Sequence, residues 1–370
     1  MKKAIILCNL DGFANSVKPQ KIKHFLERNN YTTEIYSTVG LSRLGSGKYT
    51  RFLPKIGFYS IQLYCLEALH QFAVIQKNKL IGKIIISLIL NKILEIRGKM
   101  LSSDLSGEKF DLLICENNFD EAIADSRVAK IQILDLPSPL AEEKLYGDEL
   151  TTKKYIQLRD FERKMYHKAD YLSFHWHTYA DFVKKQKYNG NNFIDLGYGT
   201  NVKKIRARYS TKPKVVFLGY LGGYWNNLKL LEKLSTLYPG IDVYGGPYIP
   251  NLKINYKGYA PSVDILASYQ FGLITITNDP LRRNSFSSKH LEYFSYGLPV
   301  FTPAWRKDTI LDDGSIHYDE SNFVSLLNSY TDESKWEEKS ASAIKIANNL
   351  SWEKALQPLE NIINHQKYEN

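Results

Sequence analysis

The stretch from Asn284 to Phe301 reads NSFSSKHLEYFSYGLPVF and predicts a serine-rich helix start, a short helix and a buried strand. Serines are good N-cap residues, and the run from Ser288 to Tyr296 fits a helix. Gly297 is suited to end that helix because glycine tolerates the left-handed conformation, and Pro299 prevents its continuation. The apolar residues that follow predict a β-strand.

Two charged residues in this stretch indicate a binding site. Lys289 and Glu292 are three residues apart, so they share one face of the predicted helix. A helix N-terminus with free N–H groups, the hydroxyls of Ser287 and Ser288 and a lysine suits a phosphate group. A carboxylate one turn later suits the hydroxyls of a sugar. At this point the alternative, a packed corner with two solvated charges, stays open.

Length and composition limit the classes of protein. A chain of 370 residues predicts two or three domains, each with its own core. The 49 Lys and Arg exceed the 39 Asp and Glu, which favours a nucleic acid, a lipid surface or a phosphorylated ligand as partner. No nucleic-acid motif accompanies the charge, so a nucleic-acid partner is not expected. Three widely separated cysteines (Cys8, Cys65 and Cys115) and a first apolar run too short for a signal peptide predict a cytoplasmic protein.

The first half alternates between predicted strands and helices. Polar groups at the carboxyl ends of parallel strands face the ligand crevice of such a sheet. Three carboxylates follow predicted strands and are therefore candidates for the catalytic base: Asp11, Glu116 and Asp135. Each is also suited to be a helix cap or a loop carboxylate. The predicted strands of this half are Lys3–Asn9, Thr32–Tyr36, Phe110–Cys115, Ala129–Leu134, Tyr171–Phe174 and Phe193–Leu196.

A basic and apolar segment lies between the second and third of these strands. Val39–Ser60 mixes basic and aromatic residues, and Leu80–Ile96 is very apolar. The apolar run is too short and too charged for a transmembrane span. It predicts either a core helix of the first domain or an interfacial helix on an anionic membrane. The basic residues that would face the lipid are Lys77, Lys79, Lys83, Lys92, Arg97 and Lys99.

The alternation restarts after a basic, weakly patterned linker at 202–214. Val215–Leu218 predicts a strand that is followed by Gly219, Gly222 and Gly223, and Phe271–Thr277 predicts the strand before the stretch quoted above. Two such halves predict an α/β protein with two Rossmann-like domains that face each other across a cleft. The expected boundaries are 1–201 for the acceptor-side domain, 215–345 for the donor domain and 346–370 for a terminal segment.

These motifs resemble the nucleotide-sugar glycosyltransferases of the GT-B fold, especially family-4-like enzymes of bacterial polysaccharide assembly. The donor-site pattern of that family appears as Lys289, Glu292–Tyr293 and Gly297–Val300. VVFLGYLGG at 215–223 resembles the strand and glycine loop that open the donor domain. Further matches are Glu162 with KADYLSF at 168–174, and Trp352, which resembles a tryptophan before a terminal helix that crosses back to the first domain.

The resemblance implies transfer of a sugar from a UDP or GDP donor to a hydroxyl of a glycan or a lipid-linked saccharide, without a cofactor. Ser287, Ser288 and Lys289 would hold the diphosphate, Glu292 the ribose, and the three glycines would let the donor approach the backbone. Arg282 and Arg283 are either further positive charges at the diphosphate or solvated residues. Asn284 stands where retaining members carry the first of two glutamates. We expect no metal, because the chain has no Asp-x-Asp sequence and His175 with His177 is a weak metal signal.

Two other activities are compatible with the same motifs. A GT-B sugar-nucleotide epimerase would act on the donor without an acceptor. A non-catalytic GT-B partner subunit would bind glycan or stabilise an active transferase. Binding of UDP or GDP separates the enzymes from the non-catalytic subunit.

Overall fold

The computed structural model describes residues 1–8, 17–37, 58–75, 80–190, 192–285, 287–307 and 310–365. Asp11 lies outside these residues. The chain divides into two compact units: unit 1 comprises Met1–Gly197 and Leu356–Asn370, and unit 2 comprises Tyr198–Ala355. Each unit contains one parallel sheet with helices packed around it, so the protein belongs to the α/β class.

Unit 1 contains a five-stranded sheet with the order β2-β1-β3-β4-β5. All of its pairings are parallel. The strands are β1 (Lys2–Cys8), β2 (Tyr31–Ser37), β3 (Phe110–Cys115), β4 (Ala129–Leu136) and β5 (Tyr171–Phe174). The helices are α1 (Val17–Arg28), α2 (Phe58–Ile75), α3 (Leu80–Leu105), α4 (Leu140–Tyr146), α5 (Thr152–Lys168) and α6 (His177–Lys185), with α13 (Gln357–His365) from the end of the chain.

The core of unit 1 forms because its central strands are apolar on both faces, as parallel strands covered by helices require. Ile6 of β1 and Ile114 of β3 pack in one cluster with α1 and α13. From α13 this cluster includes Leu359, Ile362 and Ile363, so the last helix of the chain completes the core of the first unit.

Helices α2 and α3 pack against each other through apolar side chains. Leu63 of α2 lies in one buried cluster with Ile89, Ile93 and Ile96 of α3. The apolar run of α3 is thus partly a core helix. Within the described ranges, no helix is both long enough and apolar enough to cross a bilayer.

Unit 2 contains a six-stranded parallel sheet with the order β11-β10-β9-β6-β7-β8. Its strands are β6 (Val215–Leu218), β7 (Ile241–Tyr244), β8 (Asn255–Tyr256), β9 (Phe271–Leu273), β10 (Val300–Pro303) and β11 (Ser315–Tyr318). Its helices are α7 (Leu228–Leu237), α8 (Pro280–Arg283), α9 (Ser288–Ser295), α10 (Phe323–Ser329), α11 (Glu333–Asn349) and α12 (Trp352–Ala355). The core lies where α7 and α10 pack on the sheet around Phe217, Phe271 and Phe301.

Three segments differ from the sequence-based expectation. The predicted strand Phe193–Leu196 forms only one bridge, between Phe193 and Leu172, and the N–H of Leu196 donates to the side-chain hydroxyl of Ser173 instead of a strand carbonyl. Asp135 lies inside β4 rather than after it. The expected linker is part of unit 2: the N–H groups of Lys203 and Ala207 donate to the last carbonyls of α9, at 2.8 Å and 2.9 Å.

Candidate functional site

Helix α9 begins at the carboxyl edge of the unit 2 sheet, because it lies between the parallel neighbours β9 and β10 in sequence. Its N-cap residue, Ser287, has an extended backbone and makes no side-chain capping bond. The backbone N–H groups of a first helical turn lack intrahelical partners, so this end suits an anion. The hydroxyl of Tyr293 accepts a hydrogen bond of 2.9 Å from the N–H of Leu218, which fixes the helix to β6.

Lys289 and Glu292 form an ion pair on the first turns of α9. The Nζ of Lys289 lies 2.5 Å from Oε2 of Glu292, and both side chains are about a quarter exposed (29% and 25%). A partly exposed pair adds little to stability. An anion at the helix N-terminus would offer Lys289 a second partner. The carboxylate of Glu292 could then accept hydrogen bonds from hydroxyl groups.

Arg282 is buried and joins α8 to the loop that follows β6. Its Nη2 donates to the hydroxyl of Tyr224 at 2.7 Å. Its guanidinium also lies over the rings of Tyr224 and Trp225, at 5.2 Å and 5.9 Å from their centroids. This cation is therefore held between the glycine loop and the segment that leads to α9. Arg283, by contrast, is exposed and donates to Asn278 at 2.8 Å.

A second buried arginine, Arg306, was missed by the sequence analysis. It follows β10 and its Nη2 donates to the carbonyl of Ser285 at 2.5 Å. The hydroxyl of Ser285 in turn donates to the carbonyl of Arg282 at 3.0 Å. Arg306 thus holds the turn just before α9. The one available signal was its position after a predicted strand that ends at the same edge of the sheet.

Asn284, the residue at the position of an expected glutamate, has a local structural role. It is the C-cap of α8, and its side-chain amide donates to the carbonyl of Pro280 at 2.8 Å. It lies in the same turn as Arg282 and Ser285, so the turn before α9 is fixed by side-chain hydrogen bonds at several points.

The glycine loop at 219–223 is anchored to the neighbouring strand end. The N–H of Gly219 donates to the carbonyl of Tyr244 at 3.0 Å, and that of Leu221 to Gly246 at 2.6 Å. A Cβ at Gly223 would clash with the indole of Trp225 and one at Gly222 with the ring of Tyr220, whereas one at Gly219 would make ordinary contact. Local packing therefore accounts for Gly222 and Gly223 but not for Gly219.

Gly245 is the glycine that this close approach requires. Its φ is +127°, and a Cβ there would collide with the backbone oxygen of Gly219. No sequence motif marked this residue, because its neighbour is a loop that lies distant in sequence.

Asp135, one of the three candidate bases, lies in a buried ion pair of unit 1. Its carboxylate is 2.6 Å from the Nζ of Lys18, and both side chains are almost fully buried. Lys18 also donates to the carbonyl of Leu196 at 2.5 Å. Burial raises the pKa of Asp135, and Lys18 opposes that shift. The lysine and the carboxylate therefore stabilise each other inside the unit.

Glu116, the second described candidate, follows β3 at the carboxyl edge of the same sheet. Its side chain is buried, and its Oε1 has no hydrogen-bond partner among the described residues. Burial raises its pKa well above the usual range, the charge of Asp135 raises it further, and Lys18 lowers it. A raised pKa makes the ionised carboxylate a stronger base, and the group can act as a general base once it has lost its own proton.

Three more buried glutamates of unit 1 form a separate cluster. Glu162 accepts hydrogen bonds from the N–H groups of Leu140 (2.6 Å) and Ala141 (2.9 Å), and thereby caps α4. Burial, then the charge of Glu142, raises the pKa of Glu162 to about 8. Glu121 is fully buried, and burial and Glu162 raise its pKa well above the usual range. The sequence analysis connected Glu162 with the family pattern but not with these neighbours.

The predicted site residues do not line the cavity found in unit 1, and the described residues include no candidate metal site. In the part of the chain that the structure describes, no three His, Cys, Asp or Glu side chains are placed to hold a metal ion. A cavity of about 630 Å³ lies at the amino ends of β4 and β5, lined by Lys130, His167 and Asp170 among others. It is at the opposite edge of the sheet from Glu116, so we do not assign the chemistry to it.

Solved glycosyltransferase structures resemble this chain over nearly its whole length. The lipopolysaccharide outer core galactosyltransferase WaaB shares 14% identity, with a TM-score of 0.60 over 99% of this chain and 100% of that chain. HepE of Anabaena, solved with UDP and glucose, shares 11%, with a TM-score of 0.65 and the same coverage. WaaG, a glycosyltransferase involved in lipopolysaccharide biosynthesis, shares 12%, with a TM-score of 0.58 over 96% and 99%.

These similarities establish the fold class. The chain has the GT-B glycosyltransferase fold, with one parallel α/β sheet in each unit. No protein-family model matches the sequence, and no curated relative is detected from it. At this level of identity the activity has to be argued from the residues of the site.

Proposed function

We propose that this protein is a glycosyltransferase that moves a sugar from a nucleoside diphosphate donor to a hydroxyl of a glycan or a lipid-linked saccharide. The observation that carries the proposal is the arrangement around α9. A helix N-terminus, Lys289 and Glu292 lie at the carboxyl edge of the unit 2 sheet, in a GT-B fold. HepE was solved in complex with UDP and glucose, and WaaB is a galactosyltransferase. Both similarities support a nucleotide sugar as the donor class.

The donor half of the reaction needs stabilisation of the leaving diphosphate. We assign this role to the N-terminal N–H groups of α9, the hydroxyls of Ser287 and Ser288, and the ammonium of Lys289. Arg282 adds a fixed positive charge beside the glycine loop, and Arg306 keeps the turn before α9 in place. These cations would neutralise the leaving group without a metal ion or another cofactor. Glu292 would accept hydrogen bonds from the ribose hydroxyls.

The acceptor half needs removal of a proton from a hydroxyl group. Of the two described candidate carboxylates, Glu116 suits this role better, because Asp135 is committed to Lys18. Asp11 stays a candidate from the sequence alone. We place the reaction in the cytoplasm, at the inner face of a membrane that carries the lipid-linked acceptor.

Calorimetric titration with UDP, GDP and pyrophosphate tests the donor site. If Glu292 holds the ribose, Glu292→Ala weakens binding of the nucleotide about 10- to 100-fold, since hydrogen bonds to a charged group are lost. Binding of pyrophosphate, which has no ribose, should not weaken. Glu353→Ala, at an exposed glutamate of the same unit, is the matched control and should bind like the wild type.

Two results would count against these assignments. Unchanged nucleotide affinity of Glu292→Ala, with the fold intact by circular dichroism, refutes the ribose role. Absence of binding to any nucleotide refutes the transferase proposal. Consumption of a UDP-sugar in the absence of any acceptor would instead favour an epimerase or a hydrolase.

A further inference from the structure

Helix α2 exposes an apolar stripe. Ile61, Cys65, Leu69 and Phe72 recur at helical spacing and are all exposed, Ile61 and Phe72 by more than half (57% and 55%). The one charged residue of the helix, Glu67, pairs with Arg97 of α3 at 2.9 Å. The outward face of α2 therefore carries no charge of its own, although it is directed to solvent.

Helix α3 continues this apolar surface in its first turns. Ile84 and Leu88 are exposed (44% and 63%), whereas Lys92, Glu95 and Lys99, further along the same face, are exposed and charged. The face of α3 thus changes from apolar to polar along its length, as is typical of a helix at an apolar–aqueous boundary.

The exposed stripe is not needed for the core of unit 1. The opposite side of α2 supplies Leu63 and Ala73 to the buried clusters. From α3, Ile86, Ile89 and Ile93 enter those clusters. Replacing the outward residues therefore removes no core contact, so an external partner is the better explanation of their apolar character.

Charge indicates which partner fits. Residues 38–105 contain ten Lys and Arg but three Asp and Glu, so most of the excess positive charge of the chain belongs to this segment. Two copies that met through a segment of this composition would repel each other. A nucleic acid would satisfy the charge but would leave the stripe, which has no hydrogen-bond donors, without a favourable contact. An anionic bilayer offers both headgroup phosphates and an apolar layer.

We propose that the α2 stripe, with Ile84 and Leu88 of α3, is a docking surface for an anionic lipid bilayer. The helices would lie in the membrane interface with these side chains below the headgroups, while the exposed Lys92 and Lys99 of α3 contact the lipid phosphates. The inference rests on the proposed function in one respect: a lipid-linked acceptor would require the protein to bind a membrane. Its test requires no transferase activity.

Cys65 supplies a native probe position. It lies within the stripe and is exposed, whereas Cys8 and Cys115 are buried, so an environment-sensitive fluorophore can be attached to it selectively. With vesicles of phosphatidylglycerol and phosphatidylcholine at low salt, we expect a blue-shifted emission and quenching by spin-labelled lipid. The same fluorophore on Cys65→Ser/Ile156→Cys, at an exposed apolar residue of α5, should show neither.

Vesicle flotation of Leu69→Gln/Phe72→Gln tests the stripe itself. The loss of two apolar anchors should reduce partitioning onto the anionic vesicles by about tenfold or more. Ile156→Gln/Leu237→Gln removes two equally exposed apolar residues elsewhere and should partition like the wild type. Binding of UDP should be unchanged in both variants, which separates this test from that of the donor site.

Three outcomes would overturn the proposal. The first is a wild-type protein that stays with the soluble fraction and shows an unshifted Cys65 probe. The second is equal partitioning onto anionic and pure phosphatidylcholine vesicles, which would exclude the role of charge. The third is a dimer in sedimentation velocity that Leu69→Gln/Phe72→Gln dissociates, which would make the stripe an interface between two copies.

Discussion

At the scale of single residues, Lys18 is a buried charge of unit 1 that is held by two partners. It is 1% exposed, and its ammonium group lies between Asp135 and the carbonyl of Leu196. Removal of one partner of a buried ion pair leaves the other charge uncompensated. We therefore predict that Lys18→Met lowers the free energy of unfolding by about 3–5 kcal/mol, measured by urea denaturation.

A double variant distinguishes the ion pair from simple loss of packing. Lys18→Met/Asp135→Leu removes both charges and should recover much of the lost stability, because no buried charge then lacks a partner. Arg127→Met breaks an exposed pair with Asp170, and should change stability by less than about 1 kcal/mol. A double variant less stable than Lys18→Met alone would contradict this account.

Sequence reasoning finds contacts that are local along the chain and misses those that are not. The spacing of Lys289 and Glu292 predicts that they share a helix face, and the two side chains do form an ion pair. The contacts of Lys18 with Asp135 and of Arg306 with Ser285 join residues that are distant in sequence. Helical periodicity does not contain that information, so Arg306 was not predicted, and Asp135 was predicted without its partner.

At the scale of elements, the turn after β7 fixes the glycine loop of unit 2. We predict that Gly245→Ala destabilises the protein and weakens UDP binding, because a Cβ would push against the backbone of Gly219 and displace the loop. The expected loss of stability is about 1–3 kcal/mol, from thermal and urea unfolding, and calorimetry measures the loss of affinity.

Gly258 provides a matched control for this substitution. Its φ is also positive, at +80°, but a Cβ there would meet nothing within 4 Å. Gly258→Ala therefore reports the cost of the backbone conformation alone and should leave UDP affinity unchanged. Equal effects of the two substitutions on both stability and affinity would show that the contact with Gly219 is irrelevant.

The elements themselves follow closely from sequence where the pattern is strong. β3, β5 and β6 have the predicted bounds, since short apolar runs between turn residues leave little choice of where a strand begins and ends. The prediction is less accurate where hydrogen bonds between distant segments determine the backbone conformation. The basic segment at 202–214 has no periodicity, yet it binds the carbonyl end of α9 through Lys203 and Ala207. The predicted strand at 193–196 was wrong for the same reason.

At the scale of the whole molecule, buried titratable groups predict how stability depends on pH. A carboxyl group whose pKa is raised by folding keeps its proton in the folded chain while the unfolded chain loses it. Its contribution to stability is complete below about pH 4.5. This contribution is lost as the pH rises to the pKa of the folded state, which is about 8 for Glu162. Burial lowers the pKa values of His175 and His290, so their effect appears only below 6.5.

The interval from pH 6.5 to 8 therefore isolates the buried carboxyl groups, and we predict that the free energy of unfolding falls across it. The decrease should be about 2 kcal/mol for each glutamate that stays protonated, at about 1.4 kcal/mol per pH unit. Glu121→Gln removes one such group and should flatten the decrease, whereas Glu353→Gln, at an exposed position, should not. Equal urea midpoints of the wild type at both pH values would mean that these glutamates are ionised in the folded protein.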